Sequence, residues 1–360
     1  MRSIRVILYG VGEIGKLAAR QMIDKGIDVV AAINRPGPKV GKDLGILIGL
    51  GRRMGVIVSD DATAVLSKTR ADIVFVATRD EMAPVFPIYV ACIKHGLNVI
   101  TVGSEPSFPW NSQPRMAREL DRLAKKHGVT ITGSGNQDLF MVHAATLASG
   151  ACHRIDSIAH RSLTDVSKFG ANVARLAYVG KTVGEYRRSR RQERAQEPSV
   201  YSFFWRNLAA SLDLTICEAK QTTRPLTSDR KIWCDSLGIS VPRGHLIGVV
   251  QTLKFKTREK ILMRGDYELK LLEPSEREFK KWSFSGQPNL ELEFSDLDTG
   301  YTTASQPVNR IPDVINSAPG YVTIENLPML KYRHRALPLY LSPMSGDRPS
   351  PRPRRAVRRA

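Results

Sequence analysis

Two stretches of the chain hold residue types whose order suits redox and proton chemistry. The first is Gly10-Val11-Gly12-Glu13-Ile14-Gly15, a G-x-G-x-x-G motif entered straight from the apolar run Ile4–Tyr9. In such a motif the first glycine permits a tight turn and the second lets backbone amides approach a pyrophosphate. The third allows the following helix to pack closely on its strand. That helix adds the partial positive charge and free N–H groups of its N-terminus. Ile14, Leu17, Ala18 and Met22 follow at helical spacing, Lys25-Gly26 closes the helix, and Val29–Ile33 supplies the next strand. The motif predicts a bound dinucleotide touching Gly10, Gly12, Glu13, Ile14 and Gly15. The second stretch is Gly103-Ser104-Glu105-Pro106-Ser107-Phe108-Pro109-Trp110, with Glu105 just past a predicted strand. A carboxylate there can hold an ammonium ion, polarise a carbonyl through water, or take a proton from an amine. It can equally do no more than cap the helix after the Pro-rich turn, and position alone leaves both readings open.

The end of the second strand bears on cofactor choice. NAD-preferring proteins of this kind carry an acid about 20 residues past the motif, where it binds the ribose 2′-hydroxyl. Here that place holds Asn34-Arg35. A neutral Asn34 does not repel a 2′-phosphate, and Arg35 can pair with one or stack on adenine. NADP(H) is therefore the expected preference, with NAD(H) use possible.

Elements to position these groups alternate through the first 135 residues. Strands are predicted at Val56–Ser59, Asp72–Ala77, Asn98–Val102 and Thr130–Thr132, with helices at Pro84–His95 and Pro114–His127. The pattern is that of a doubly wound parallel sheet, whose ligands gather at the carboxyl ends of strands. That rule adds Thr78 and Arg79 as cofactor contacts and places Asn136 near the nicotinamide end. After residue 140 the texture changes. A helix at Phe140–Ser149 precedes strands at Ser157–Thr164, Leu214–Gln221, His245–Lys256, Lys260–Leu271 and Asn289–Phe294, an antiparallel or mixed sheet. Arg175–Arg206 reads as helical for much of its length, and a last helix is expected at Pro307–Ile315. The fold class is thus α/β: a Rossmann domain (1–138), an α+β substrate and dimerisation domain with a mixed sheet (139–304), and a segment (305–335) returning to the Rossmann domain. Phe140, Met141 and Phe169 are candidate pocket residues, although aromatic side chains are more often core. His143, His160 and His245 are weaker candidates, since lone histidines usually pack or meet solvent.

At 360 residues the chain can bury two cores. It lacks an apolar run of membrane-spanning length and a signal-peptide pattern, so no membrane association is expected. Cys92, Cys152, Cys217 and Cys234 are scattered, with no C-x-x-C pair, and the histidines lack ligand spacing. Reduced thiols, a cytoplasmic location and no metal follow as expectations. The net charge of +19 is concentrated: Arg348–Ala360 carries six arginines and no acid, and Arg187–Arg194 carries five arginines against Glu193. Residues 345–360 read as a disordered basic tail. Without interleaved aromatics, a solvated tail is a stronger reading than a nucleic-acid partner.

Several separated blocks, in order, resemble the 2,4-diaminopentanoate dehydrogenases and related native amine dehydrogenases, a dihydrodipicolinate reductase-like group. The blocks are Tyr9–Gly15, Val40–Gly45 with Ile48–Gly51, Glu105–Trp110, Asp165–Gly170, and Asn309–Pro312 with Ala318–Gly320. They span roughly residues 4–330. The resemblance implies NAD(P)-dependent oxidative deamination of a small amine or diamino acid, reversible as reductive amination of a ketone with ammonia. It implies that Glu105 is the catalytic acid group, that Asn309 lies near the nicotinamide ribose, and that the protein is a homodimer. The paired-histidine motif and lysine loop of true dihydrodipicolinate reductases are not reproduced by His160-Arg161 or Lys168–Ala171, which argues against that activity. The competing readings are a dehydrogenase for another small polar substrate, with Glu105 only binding, and a non-catalytic NADP-responsive regulator.

Overall fold

The computed structural model describes residues 3–192 and 199–342. Short apolar runs separated by amphipathic helices build the first layer. In order these are β1 (Ile4–Tyr9), α1 (Glu13–Asp24), β2 (Ile27–Ile33), α2 (Leu44–Leu47), β3 (Val58–Ser59), α3 (Ala62–Lys68), β4 (Ile73–Val76), α4 (Met82–Lys94), β5 (Asn98–Thr101), α5 (Pro114–His127) and β6 (Thr130–Gly133). All pairings are parallel, in the order β6-β5-β4-β1-β2-β3. Helices cover both faces, so β4 is buried at every position and reads as an unbroken apolar run. The strand order reverses between β1 and β4, and the crevice at such a switch point is where ligands bind. The Gly10–Gly15 loop lies there.

From β6 the chain enters a π-helical turn, Gln137–His143, that runs into α6 (Ala144–Ser149). The second unit comprises β7 (Arg154–Asp165), α7 (Ala171–Leu176), α8 (Val183–Gln192), α9 (Val200–Ser211), β8 (Ile216–Thr227), the hairpin β9 (Ile232–Cys234) and β10 (Ile239–Val241), β11 (Leu246–Thr257), β12 (Leu262–Lys270), β13 (Phe279–Gln287) and β14 (Leu290–Ser295). Its six-stranded sheet, ordered β14-β13-β7-β12-β11-β8, is mixed: β7 and β12 are parallel and the rest antiparallel. The expected mixed sheet is therefore present. Strand β13 was not anticipated because Lys280 and Lys281 interrupt its apolar alternation. Lys280 is nevertheless only 1% exposed. Burial lowers its pKa to about 8, with Glu278 opposing that shift. Helix α9 lays Phe204, Trp205 and Leu208 against Trp282, Tyr267 and Leu253 of this sheet.

The expected long helix over Arg175–Arg206 is broken. Tyr178 and Gly180 both take positive φ, and a capping box restarts the chain as α8. In that box Glu185 Oε2 accepts the Thr182 N–H (2.7 Å), and Thr182 Oγ1 accepts the Glu185 N–H (3.2 Å). Glu193 and Arg194 of the arginine run, and the tail 345–360, lie outside the described residues.

The last helix, α10 (Thr299–Asn316), starts eight residues earlier than its prolines suggested. Glu278 Oε2 accepts the Thr299 N–H and Asp298 caps Tyr301, so its N-terminus is fixed upstream of Pro307. The helix then returns to the first domain, packing Ala304, Val308, Ile311 and Val314 into the core with Val6, Leu8, Met22 and Phe75. After it, β15 (Gly320–Tyr321) adds a parallel strand outside β6. A buried ion pair fastens this return. Arg310, wholly buried, meets Asp138 of the π-helical turn through Nη2–Oδ1 at 2.6 Å and Nε–Oδ2 at 3.0 Å. Ser134 Oγ–H completes the carboxylate at 2.8 Å. Arg310→Met leaves Asp138 buried and unpaired, so a loss of about 3–5 kcal/mol in urea unfolding is expected. Asp138→Leu combined with Arg310→Met should recover most of it.

Candidate active site

The glycine motif divides its three glycines by task. Gly10 has φ +106°, and a Cβ there would lie 2.2 Å from Ala77 O, at the end of β4. A Cβ on Gly15 would lie 2.0 Å from Gly10 O. These two glycines are demanded by the protein's own packing. Gly12 has nothing within 4 Å of a Cβ, and no side chain caps α1. An uncapped helix N-terminus beneath open space fits a pyrophosphate.

Around this cradle, Asn34 Oδ1 accepts the Val11 N–H at 3.1 Å, while its Nδ2–H donates to Arg35 O at 3.1 Å. Asn34 thus braces the loop. Arg35 is exposed, and Glu13 pairs with Lys16 at 2.8 Å. Lys39, which the motif reading passed over, donates its ammonium to Val11 O. Its pKa is lowered, first by burial and then by Lys16 and Arg35, with Glu13 opposing. Three cations therefore crowd one edge of the loop. The signal that could have found Lys39 was the turn Pro36-Gly37-Pro38, which folds the chain back after Arg35.

Glu105 lies at the next strand end. It opens a single 3₁₀ turn, Glu105–Ser107, and is 7% exposed. Its Oε2 accepts the Met82 N–H at 2.6 Å, and its own N–H donates to Asp80 O at 3.0 Å. The side chain is a helix cap, but of α4 rather than of a helix following its own turn. Among the described residues Oε1 has no protein hydrogen-bond partner. The turn is held from several sides: Tyr321 O–H donates to Pro106 O (2.6 Å), and a Cβ on Gly133 would sit 2.6 Å from Ser107 Cα. Asp80 accepts from Ser104 N–H (3.1 Å) and Ser104 Oγ–H (2.7 Å). Asp80 is a second acid here, next in the chain to the Thr78-Arg79 pair that the strand-end rule singles out.

Helix α9 covers the turn. Tyr201 stacks on Tyr267 at 3.6 Å between ring centroids, Tyr267 on His160 at 5.2 Å, and His160 meets Trp282 at 4.5 Å. Burial, and secondarily Asp80, raises the Tyr201 pKa, so the phenol lies within electrostatic reach of that acid.

Thr78 and Arg79 follow β4 and are exposed beside the Gly10 turn. Asn136 and Asn309 each have a buried Oδ1 without a partner. The segments that carry them are joined by the Leu139 N–H bond to Gln306 Oε1 at 2.7 Å. Phe169 is half-buried next to Gly170, whose Cβ would lie 3.5 Å from Glu13 Cγ. The segment between β7 and α7 therefore meets the glycine loop. Met141 sits instead in the core under α9, and Phe140 is buried against Phe294 at 5.1 Å between ring centroids, its O accepting the Trp282 indole N–H at 2.7 Å. The π-helical twist turns these two side chains inward. Burial lowers the pKa of His143, beside Asp138, and of His160, which has Lys280 near it. Both rings are structural. His245 Nδ1 is buried without a partner.

Residues 139–336 match the family described as the 2,4-diaminopentanoate dehydrogenase C-terminal domain. The chain belongs to the 2,4-diaminopentanoate dehydrogenase family. The resemblance drawn from the separated blocks is borne out. The 2,4-diaminopentanoate dehydrogenase of Acetoanaerobium sticklandii is 26% identical over 358 residues, covering 91% of this chain and 94% of its own. The solved amine dehydrogenase of Mycobacterium smegmatis is 37% identical, covering 93% of this chain and 98% of its own at a TM-score of 0.88. A probable dehydrogenase from Thermotoga maritima, 10% identical with 90% and 92% covered and a TM-score of 0.57, shares the fold. Among the described residues no helix is long and apolar enough to cross a membrane.

Gly12→Ala tests the cradle in this family member. Its backbone is extended, at φ −82° and ψ −170°, and has room for a methyl group. The melting temperature should move by no more than about 2 °C. Affinity for the nicotinamide dinucleotide in a fluorescence titration should fall about tenfold or more, equivalent to about 1.4 kcal/mol.

Proposed function

We propose that the protein is an NAD(P)-dependent amine dehydrogenase in which Glu105 moves the protons. It interconverts a small amine, or diamino acid, with the corresponding ketone and ammonia. The observation that carries this reading is the divided state of Glu105: Oε2 is anchored on the Met82 N–H, and Oε1 is left without a protein partner just past β5, the strand next to β4 at the switch point.

Bound nicotinamide cofactor supplies hydride transfer. The chain's own residues hold and orient it. The Gly10–Gly15 loop and the first turn of α1 receive the pyrophosphate, with Glu13 and Ile14 contributing backbone N–H groups. Thr78 and Arg79 would flank the cofactor, and the unpartnered Oδ1 atoms of Asn136 and Asn309 would be available to its carboxamide and ribose end. Glu105 Oε1 takes a proton from incoming ammonium, so that neutral ammonia can attack the carbonyl, and returns it to the departing hydroxyl. The roof of α9 excludes bulk water, which strengthens the carboxylate's hold on cationic substrate groups. Phe169, at the domain junction, bounds the substrate side.

NADP(H) is the preferred form in this reading, because Arg35 and Lys39 gather positive charge where a 2′-phosphate would sit. A homodimer is proposed on the family resemblance; Leu176, Trp233 and Ile239, exposed apolar residues on α7, β9 and β10, support it. The four free cysteines support a reducing, cytoplasmic setting. Elution in size-exclusion chromatography at twice the chain mass checks the assembly.

NADPH oxidation with ammonia and a panel of ketones tests the activity. Glu105→Gln keeps an acceptor for the Met82 N–H but cannot take a proton, so turnover should fall by about 10²-fold or more with the fold intact. Activity of this variant within a few fold of wild type would overturn the role of Glu105. Arg35→Ala with Lys39→Ala should raise the NADPH KM about tenfold while leaving the NADH KM nearly unchanged.

A further inference from the structure

A second acid, Asp80, is hydrogen-bonded to the Glu105 turn and has no part in the proton transfers proposed above. Asp80 lies two residues before α4 and grips the Glu105 turn by both its main chain and its side chain. Its carbonyl oxygen accepts the Glu105 N–H at 3.0 Å. Its Oδ1 accepts the Ser104 N–H at 3.1 Å and the Ser104 hydroxyl at 2.7 Å. Ser104 is thereby fixed, and its carbonyl in turn accepts the Ser107 hydroxyl at 2.6 Å, which closes the turn on its far side. Among the described residues the second oxygen, Oδ2, has no protein hydrogen-bond partner.

The electrostatic setting is one-sided. Asp80 is itself open to solvent, yet protein crowds closely round it. Desolvation therefore raises its pKa against the lowering effect of the Ser104 hydrogen bonds, and Glu81 adds to the rise. Asp80 in turn raises the pKa of Tyr89 on α4 and of Tyr201 on α9. Glu105 stands beyond Ser104, and Arg79, its chain neighbour, is exposed. The groups electrostatically coupled to Asp80 are thus acids and phenols. An asparagine in its place would keep the Ser104 hydrogen bonds without the charge, so the tether alone does not call for an acid.

We propose that Asp80 is a positioning residue of this dehydrogenase: it fixes Glu105 through Ser104, and its negative charge favours the cationic amine and iminium forms of the substrate beside Glu105. This rests on the amine dehydrogenase reading above. Asp80 supplies charge but transfers no proton to substrate.

Asp80→Asn separates the two tasks, because its amide oxygen keeps the Ser104 hydrogen bonds while the charge is removed. Steady-state reductive amination across pH 5–10, alongside thermal melts, gives the readout. The expected result is a fall in kcat of about tenfold or more with the NADPH KM within about twofold. The acid limb of the pH profile should move to lower pH, because activity no longer falls as Asp80 is protonated at its raised pKa. The melting temperature at neutral pH should be unchanged or higher, since a carboxylate with a raised folded-state pKa subtracts stability as pH rises above its unfolded-state pKa. Ser104→Ala removes the hydroxyl half of the tether and keeps both the Ser104 N–H bond and the charge, so it should lower kcat and move the acid limb to higher pH, opposite to Asp80→Asn. In a Glu105→Gln background, Asp80→Asn should add little further loss of kcat.

An Asp80→Asn enzyme with wild-type kcat and pH profile, while Glu105→Gln is inactive, would overturn this inference and leave Glu105 standing. An active Glu105→Gln enzyme would remove the reading beneath it. A lowered melting temperature with an unmoved pH profile in Asp80→Asn would reduce Asp80 to a structural tether.

Discussion

The bidentate contact between Asp138 and Arg310 is the constraint on which the rest of the molecule turns. Both partners are fully buried, and they belong to the two segments that cross between the domains: the π-helical exit from β6 and the returning helix α10. A buried ion pair adds little net stability over a well-packed apolar pair, but breaking it is expensive. It therefore acts as a registration device. With Arg310 seated, the Leu139 N–H reaches Gln306 Oε1, which ties the segment carrying Asn136 to the helix carrying Asn309. Displacement of α10 along its axis would also pull Val308 and Ile311 out of the first domain's core.

The carboxylate proposed to do the chemistry is held by a different device. Glu105 caps α4 from outside that helix, so the N-terminal charge of α4 and the Met82 N–H fix one carboxylate oxygen and direct the other. The helix thus orients a functional side chain and has its own terminus satisfied by the same bond. The two alternatives that the sequence left open, cap or catalyst, are compatible because a carboxylate has two oxygens.

What was legible in the sequence follows from how local each cause is. The parallel sheet, its switch point and the glycine turn are written in contiguous residues, and these elements stand where periodicity places them. Strand β13 was hidden because Lys280 is buried by tertiary packing that no local pattern records. The early start of α10 was hidden because Glu278, more than 20 residues before Pro307, caps it. Lys39 and Asp80 were passed over for a related reason. Each acts through a partner distant in sequence, Val11 for the lysine and Ser104 for the acid. Phe140 and Met141 looked like pocket residues because aromatic and thioether side chains near a strand end suit either role. The π-helical turn, which a propensity argument does not anticipate, decides in favour of the core.

The glycine loop shows how fold and ligand can be separated within one motif. Gly10 and Gly15 answer to Ala77 O and to each other, so any protein with this strand–turn–helix packing needs them whether or not it binds a dinucleotide. Among the described residues nothing lies within 4 Å of a Cβ at Gly12, so no packing contact demands a glycine there and the space above it is open to a ligand. The same logic applies at the neighbouring strand ends. Oε2 of Glu105 and the carbonyl of Asp80 are consumed by the fold, whereas Oε1 of Glu105 and Oδ2 of Asp80 are not. Groups the fold does not use thus lie at the carboxyl ends of neighbouring strands, open space for an anion at Gly12 and free carboxylate oxygens for a cation at Glu105 and Asp80. An amine presented to an oxidised nicotinamide dinucleotide meets that description at both ends of the site.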